Sequence, residues 1–199
     1  IRPDAEMGYR ACVSANDGPV PSGSVGAGTG ATVAKINGIK NAIKSGQGSA
    51  AVNRGNLIVA ALMVVNAFGD VYSEDGSILA GPLNRETGKM ESTIDLLSGS
   101  NTGPFEGNTT LGVIVTNAEL DRDGLSRVCK LAHDGLARTV WPVHTMWDGD
   151  TIFALSCGSI SADVNQVGLI AAEATARAVR SAVNEAVSLG GIISVNELR

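Results

Sequence analysis

Gly107-Asn108-Thr109-Thr110 holds the residue types that a self-made nucleophile needs. A Thr hydroxyl is a weak nucleophile and requires a base. An N-terminal Thr carries its own, because an α-amino group has a reference pKa of about 8. Such a terminus can arise by self-cleavage. The Thr109 hydroxyl attacks the Asn108 carbonyl, the acyl group moves from nitrogen to oxygen, and water hydrolyses the ester. Gly107 suits that site because it lets the backbone approach closely and take unusual angles. The same four residues also read as the plain start of a β-strand, where paired Thr residues are common.

Three further groups could complete a site. Asp148-Gly149-Asp150 sets two carboxylates two residues apart, where one can orient the Thr hydroxyl or amine and the other relay a proton. Asp-Gly is equally a turn signal. Asn66, after Val64-Val65, offers an amide that could donate to an oxyanion, or could cap a strand end. The glycines at 26, 28 and 30 lack both the dinucleotide spacing and the Gly-Lys-Ser/Thr ending of a phosphate loop. They predict tight backbone packing beside a site, with Lys35 as a charge in it or as a solvated side chain. His133 and His144 have no metal-ligand spacing. His133 is expected at a helix surface or edge, and His144 in a turn before Asp148. Asp121 or Asp123 reads as a helix cap.

The elements that must position these residues follow from the hydrophobic pattern. Pro3 to Asn16 predicts a short helix with Met7, Ala11, Cys12 and Ala15 on one face. Asp17 to Gly30 predicts a loop, and Thr32 to Lys44 is open between strand and helix. Asn56 to Val71 is a near-continuous apolar run, expected as a strand buried on both faces. Ser73 to Gly76 predicts a turn. Pro82 to Gly107 has the composition of an exposed linker, with one helical turn near Ile94 to Leu97. Thr109 to Asn117 predicts a strand, Asp123 to Val140 a helix, and Thr151 to Ser156 a buried strand. Asp163 to Leu189 predicts a long helix stopped by Gly190-Gly191, and Ile192 to Val195 a last short strand. This order predicts a single α+β layered domain.

Composition sets the outer limits. Of the 199 residues 44% are hydrophobic but only 4% aromatic, with 25 glycines, so the core is expected to use small side chains and close backbone contacts. The net charge is −5 without a basic run, which argues against nucleic acid. Leu57 to Phe68 is too short to span a membrane. Cys12, Cys129 and Cys157 are odd in number and far apart, which argues against a disulfide framework and suits a reducing cytoplasm.

Taken together, Gly107 to Ala118, Ala132 to Arg138, Pro142 to Ala154 and Gly26 to Thr32 resemble the DmpA-type L-aminopeptidase/D-esterase family. That family includes β-peptidyl aminopeptidases and the endo-type 6-aminohexanoate-oligomer hydrolase. The resemblance implies Thr109 as nucleophile, freed by cleavage of Asn108–Thr109. It implies Asp148 and Asp150 beside it, Asn66 on the oxyanion side and Lys35 in the same pocket. Residues 1–108 would be the C-terminal part of an α subunit and 109–199 the β subunit. The implied fold stacks two β-sheets between helix layers, with its N-terminal part, including a Tyr near the oxyanion site, outside this sequence. Members form homo-oligomers, often tetramers of αβ units. Where some use a Ser nucleophile and a Ser/Glu pair, this sequence has Thr and two Asp.

The expected function is therefore a cytoplasmic, self-processing aminopeptidase or amidase that cleaves small peptides or amides through a Thr acyl-enzyme, with no cofactor or metal called for. Two alternatives stay open: an acyltransferase of the ornithine/glutamate N-acetyltransferase type, and a non-processing, inactive homologue.

Overall fold

The computed structural model describes residues 2–99 and 107–198. Its helices are α1 (Ala5–Val13), α2 (Thr93–Gly99), α3 (Arg122–Ala137) and α4 (Val164–Asn184). Its strands are β1 (Thr32–Val33), β2 (Ile43–Lys44), β3 (Gln47–Arg54), β4 (Leu57–Asn66), β5 (Asp70–Tyr72), β6 (Ile78–Ala80), β7 (Leu83–Asn84), β8 (Lys89–Met90), β9 (Thr109–Ala118), β10 (Val140–Trp141) and β11 (Thr151–Ile160). The chain is α+β, as expected. The main sheet runs β11-β9-β4-β3; β4 is antiparallel to both β3 and β9, and β11 is parallel to β9.

Helices α3 and α4 cover one face of this sheet. Val59, Ala61, Met63 and Val65 of β4 meet Ala171, Ala174, Ala178 and Ala182 of α4 in a single core, which Val128, Ala132 and Leu136 of α3 extend. Both helices start at aspartates whose carboxylates take the free N–H groups of the first turn: Asp121 accepts from Gly124, and Asp163 from Asn165 and Gln166. Small residues let the backbones close up, as composition predicts. At Gly135 of α3 a Cβ would stand 2.1 Å from the Ala172 carbonyl oxygen of α4.

Several expectations need correction. β4 is a strand, but it is not buried on both faces. Its odd-numbered residues are buried while Ile58, Ala60, Leu62, Val64 and Asn66 are partly or fully exposed. The apolar run reflects a second apolar face left open among the described residues, and Leu111, Phe153 and Leu155 continue it. β11 is likewise an edge strand with its outer face exposed, and not a buried strand. α4 ends at Asn184, five residues before the expected stop, and Gly190 and Gly191 instead take positive φ in a turn bridged by Leu189 and Ile192. Ile192 to Val195 forms no strand, and a 3-10 turn follows at Val195–Glu197. α1 forms, yet it buries none of its residues. Thr32 to Lys44, ambiguous in sequence, is the two short strands β1 and β2 around a 3-10 turn.

The segment expected as a linker is ordered over its described part. β7 and β8 make a hairpin, and Thr93 at the start of α2 gives both its N–H and its hydroxyl to the buried Asp70 carboxylate. Burial pushes the Asp70 pKa up to about 6, against those two hydrogen bonds. Residues 100–106 lie outside the described residues. Among the described residues no helix is long and apolar enough to cross a membrane.

Gly135→Ala should force α3 away from α4 and cost roughly 1–3 kcal/mol, the usual cost of overpacking a tight core. Urea unfolding would read it as a lower midpoint at unchanged slope. An unshifted midpoint would mean that the close approach contributes nothing to stability.

Candidate active site

The antiparallel register sets Asn66, the last residue of β4, opposite Thr109, the first of β9. The stretch leading into β11 passes on the other side, where Asn108 and Asp148 form a parallel bridge. All the residues expected in a site, Lys35, Asn66, Asn108, Thr109, Asp148 and Asp150, therefore gather at one end of the main sheet.

Thr109 is half-buried, and its hydroxyl donates to the carbonyl oxygen of Asn108, the preceding residue. The same oxygen accepts the Gly149 N–H at 3.0 Å. A Cβ on Gly149 would stand 2.9 Å from Thr109 Oγ1, so only glycine brings a peptide N–H to this carbonyl without pressing on the hydroxyl. Gly107 has φ +97, in the region that favours glycine. In the sequence alone Gly149 reads as a turn residue only. Its position between two aspartates was the sole signal available.

Asn66 is oriented by its acceptor side. Its Oδ1 takes the Lys35 ammonium at 2.7 Å and the Thr32 N–H at 3.2 Å, which turns Nδ2 toward the Gly107 carbonyl oxygen at 3.1 Å. The amide thus contacts the peptide one residue before Asn108–Thr109. Lys35 also donates to the Asn66 main-chain oxygen at 2.9 Å. It is 1% exposed, and no carboxylate lies within ion-pair distance among the described residues. Burial pushes its pKa from 10.5 down to about 7, and the charge of Asp148 offsets only part of this. Ala34, just before it, is held at φ +60, an uncommon conformation for a residue with a Cβ.

The two carboxylates serve different partners. Asp148 accepts from the Phe68 N–H at 3.1 Å and from the Thr145 hydroxyl at 2.6 Å, tying the β4–β5 connection to the loop before β11. Phe68 and Trp147 pack in the same place, with ring centroids 5.1 Å apart. Asp150 accepts the Thr110 N–H at 2.8 Å and pairs with His144 Nδ1 at 2.8 Å. Neither carboxylate bonds the Thr109 hydroxyl, and in this continuous chain the Thr109 nitrogen belongs to a peptide bond. His144, expected as a turn residue, is also a partner of Asp150, and His133 lies against it with centroids 4.7 Å apart.

A cleft of about 260 Å³ opens at Thr109, lined by Ala27, Gly30, Ala31, Val64, Asn66 and Leu111. The glycine-rich segment is thus a cleft wall, as expected of tight packing beside a site. Lys44, which sequence reasoning passed over, pins that wall from inside by donating to the carbonyl oxygens of Ala31 and Ser45. A larger hollow of about 550 Å³ between Tyr72, Arg138, Trp141 and Arg180 shares no lining residue with this cleft.

The model of peptidase family S58 matches residues 2–195. An uncharacterised aminopeptidase of Mycobacterium leprae is 35% identical over 96% of this chain and 58% of its own length. The 6-aminohexanoate-oligomer endohydrolase of an Agromyces species is 30% identical over 87% of this chain and 54% of its own. Among solved structures, the L-aminopeptidase D-Ala-esterase/amidase of Ochrobactrum anthropi, described as a prototype for the serine aminopeptidases with a variant Ntn-hydrolase fold, superposes with TM-score 0.64. It is 20% identical, over 96% of this chain and 53% of that one. The chain spans somewhat over half the length of the curated relatives it matches.

Because Lys35 titrates near 7 in the folded chain and near 10.5 when unfolded, the unfolded state binds the extra proton between those values. The cost of burying the ammonium is fully present below about pH 7 and fades as pH rises, so stability should increase through this window. Lys44, lowered to about 8, adds to the same trend. Urea midpoints measured below pH 7 and well above it should rise, and Lys35→Met should flatten the rise while keeping the share from Lys44. An equally steep rise in that variant would show that Lys35 is not the buried titrating group.

Proposed function

We propose that this chain, which belongs to peptidase family S58, is part of a self-processing hydrolase of amide bonds whose nucleophile is Thr109. The observation that carries the reading is the contact of the Thr109 hydroxyl with the Asn108 carbonyl, whose oxygen is already polarised by the Gly149 N–H. The names of the matched relatives, an aminopeptidase and an oligomer endohydrolase, support amide bonds as the target.

In processing, Thr109 Oγ bonds to the Asn108 carbonyl carbon, and the Gly149 N–H stabilises the developing oxyanion. The Asn108–Thr109 C–N bond then breaks as the proton lost from Oγ passes to the departing nitrogen, leaving an ester on Oγ and a free α-amine on Thr109. Water hydrolyses the ester, giving a carboxylate at Asn108 and restoring the hydroxyl. Residues 1–108 and 109–199 thereby become separate segments of one domain.

In turnover, the freed amine takes the proton from Oγ as the hydroxyl attacks a substrate carbonyl in the cleft. Asn66 Nδ2, relieved of its bond to Gly107 once that segment moves, is the side-chain donor for the substrate oxyanion. Lys35 holds Asn66 in that orientation through Oδ1. Asp148, whose backbone bridges to Asn108, and Asp150, which accepts the Thr110 N–H, flank Thr109 in space and balance the charge that the amine gains. The substrate class is a small peptide or amide, and the small residues Ala27, Gly30 and Ala31 leave room for its acyl part.

Purified protein should yield a fragment whose N-terminal sequence is Thr-Thr-Leu-Gly, seen by intact mass and end sequencing, and Thr109→Ala should stay uncut and inactive on amino-acid anilides. Gly149→Ala should press on Oγ and slow processing by roughly a hundredfold, the scale of a small misplacement of reacting groups. Normal processing or anilide hydrolysis in Thr109→Ala would rule the mechanism out.

A further inference from the structure

The Asp150 carboxylate side chain is 3% exposed, and each of its oxygens has its own donor: Oδ1 takes the Thr110 N–H and Oδ2 faces His144 Nδ1, both at 2.8 Å. Lys35 acts on Asp148 instead, so His144 is the ionisable group paired with Asp150. A carboxylate can only accept, and therefore Nδ1 of His144 carries the hydrogen, whether the ring is neutral or charged. This selects the Nδ1–H tautomer and turns Nε2 away from Asp150.

Two features show that the chain is arranged to deliver this ring. His144 sits at φ +54, in the left-handed region, which costs free energy at a residue with a Cβ and is held only where the surroundings impose it. His133, from α3, packs edge-to-face on the imidazole with ring centroids 4.7 Å apart. Burial first, and then the charge of His144, pushes the His133 pKa down, against weaker pulls from Asp150 and Asp134. Its surroundings thus favour the uncharged form of His133. Its Nδ1 is buried without a hydrogen-bond partner among the described residues.

We infer that His144 is a positioning residue for the start of β9: through Asp150 it fixes the Thr110 N–H, and with it the backbone of Thr109, while His133 braces the imidazole. The role runs His133, His144, Asp150, Thr110, and none of the first three touches the reacting atoms. It also accounts for the pairing of an Ala-His-Asp-Gly stretch on α3 with a Pro-Val-His-Thr stretch in the loop before β11. The inference rests on the reading of Thr109 as nucleophile for its meaning, but not for its test.

The test uses the uncut Thr109→Ala protein, where no activity is needed. Imidazole ¹⁵N shifts should report the Nδ1–H tautomer for His144. Hydrogen exchange at the Thr110 amide should then separate two substitutions. His144→Asn keeps a donor near the Nδ1 position and tolerates the left-handed backbone, so Thr110 should exchange as before. His144→Gly also accepts that backbone but removes the donor, so Thr110 should exchange faster by roughly tenfold to a hundredfold, the worth of a hydrogen bond to a charged group. In the Thr109 protein the Gly variant should slow processing to a similar extent, and the Asn variant should rescue it. An Nε2–H tautomer, or equal Thr110 exchange in both variants, would overturn the inference. If the Thr109 protein never cuts, the nucleophile reading fails, while the tautomer and exchange results still decide the role of His144.

Discussion

Asn66 and Thr109 face each other across an antiparallel strand pair, and the rest of the site depends on that register. A shift of one residue in β4 against β9 would turn Asn66 to the other face and put Val65 opposite the Thr. The register is held by burial. Val59, Ala61, Met63 and Val65 must face α4, because exposing that row would forfeit the largest continuous part of the core. The polar cluster at the sheet end is thus kept in place by apolar contacts several residues away. The cost of a misaligned strand is paid in hydrophobic area, where a slip is least tolerable.

The polar groups at that end fall into two pairs, each with one carboxylate. Lys35 is wholly buried on Asn66 oxygens and feels Asp148 at a distance, while His144 meets Asp150 directly. Burying an ammonium without an ion-pair partner is costly, and the fold relieves this by letting its pKa fall. Lys35 can therefore be neutral near physiological pH, which is unusual for lysine and fits a role in orienting an amide more than in holding an anion. Among the described residues, the two non-glycine residues with left-handed backbones, Ala34 and His144, belong to or adjoin these same groups. The conformational strain of the described chain is thus concentrated where its polar network is densest.

The structure also explains why the main sheet looks more hydrophobic than one helix layer requires. Its helix face is covered by α3 and α4, yet Leu111, Phe153 and Leu155 on β9 and β11 remain exposed beside the half-buried Leu62 and Val64. One sheet and one helix layer of the expected layering are built by the main sheet with α3 and α4. The remaining strands form small sheets at its margin.

Local pattern alone determined the elements whose signals are strong and close in sequence. The apolar runs of β4 and β9, the capped amphipathic α3 and the Ala-rich α4 were readable, because periodicity and capping act within a few residues. The identities of Thr109, Asn66, Lys35, Asp148 and Asp150 as candidates were readable too, through residue type, spacing and resemblance. Tertiary structure decided what each of them touches. That Asn66 points at Gly107, that Asp150 binds Thr110 and His144, and that Gly149 supplies a donor to the Asn108 carbonyl are contacts between segments tens of residues apart. Strand β3 was missed, since its Ala, Gly and Ser residues carry little hydrophobic signal and it is made a strand by pairing with β4. The burial of β4 was misjudged for the opposite reason: an apolar run states that a face is apolar, but only the packing of other elements decides whether that face is covered.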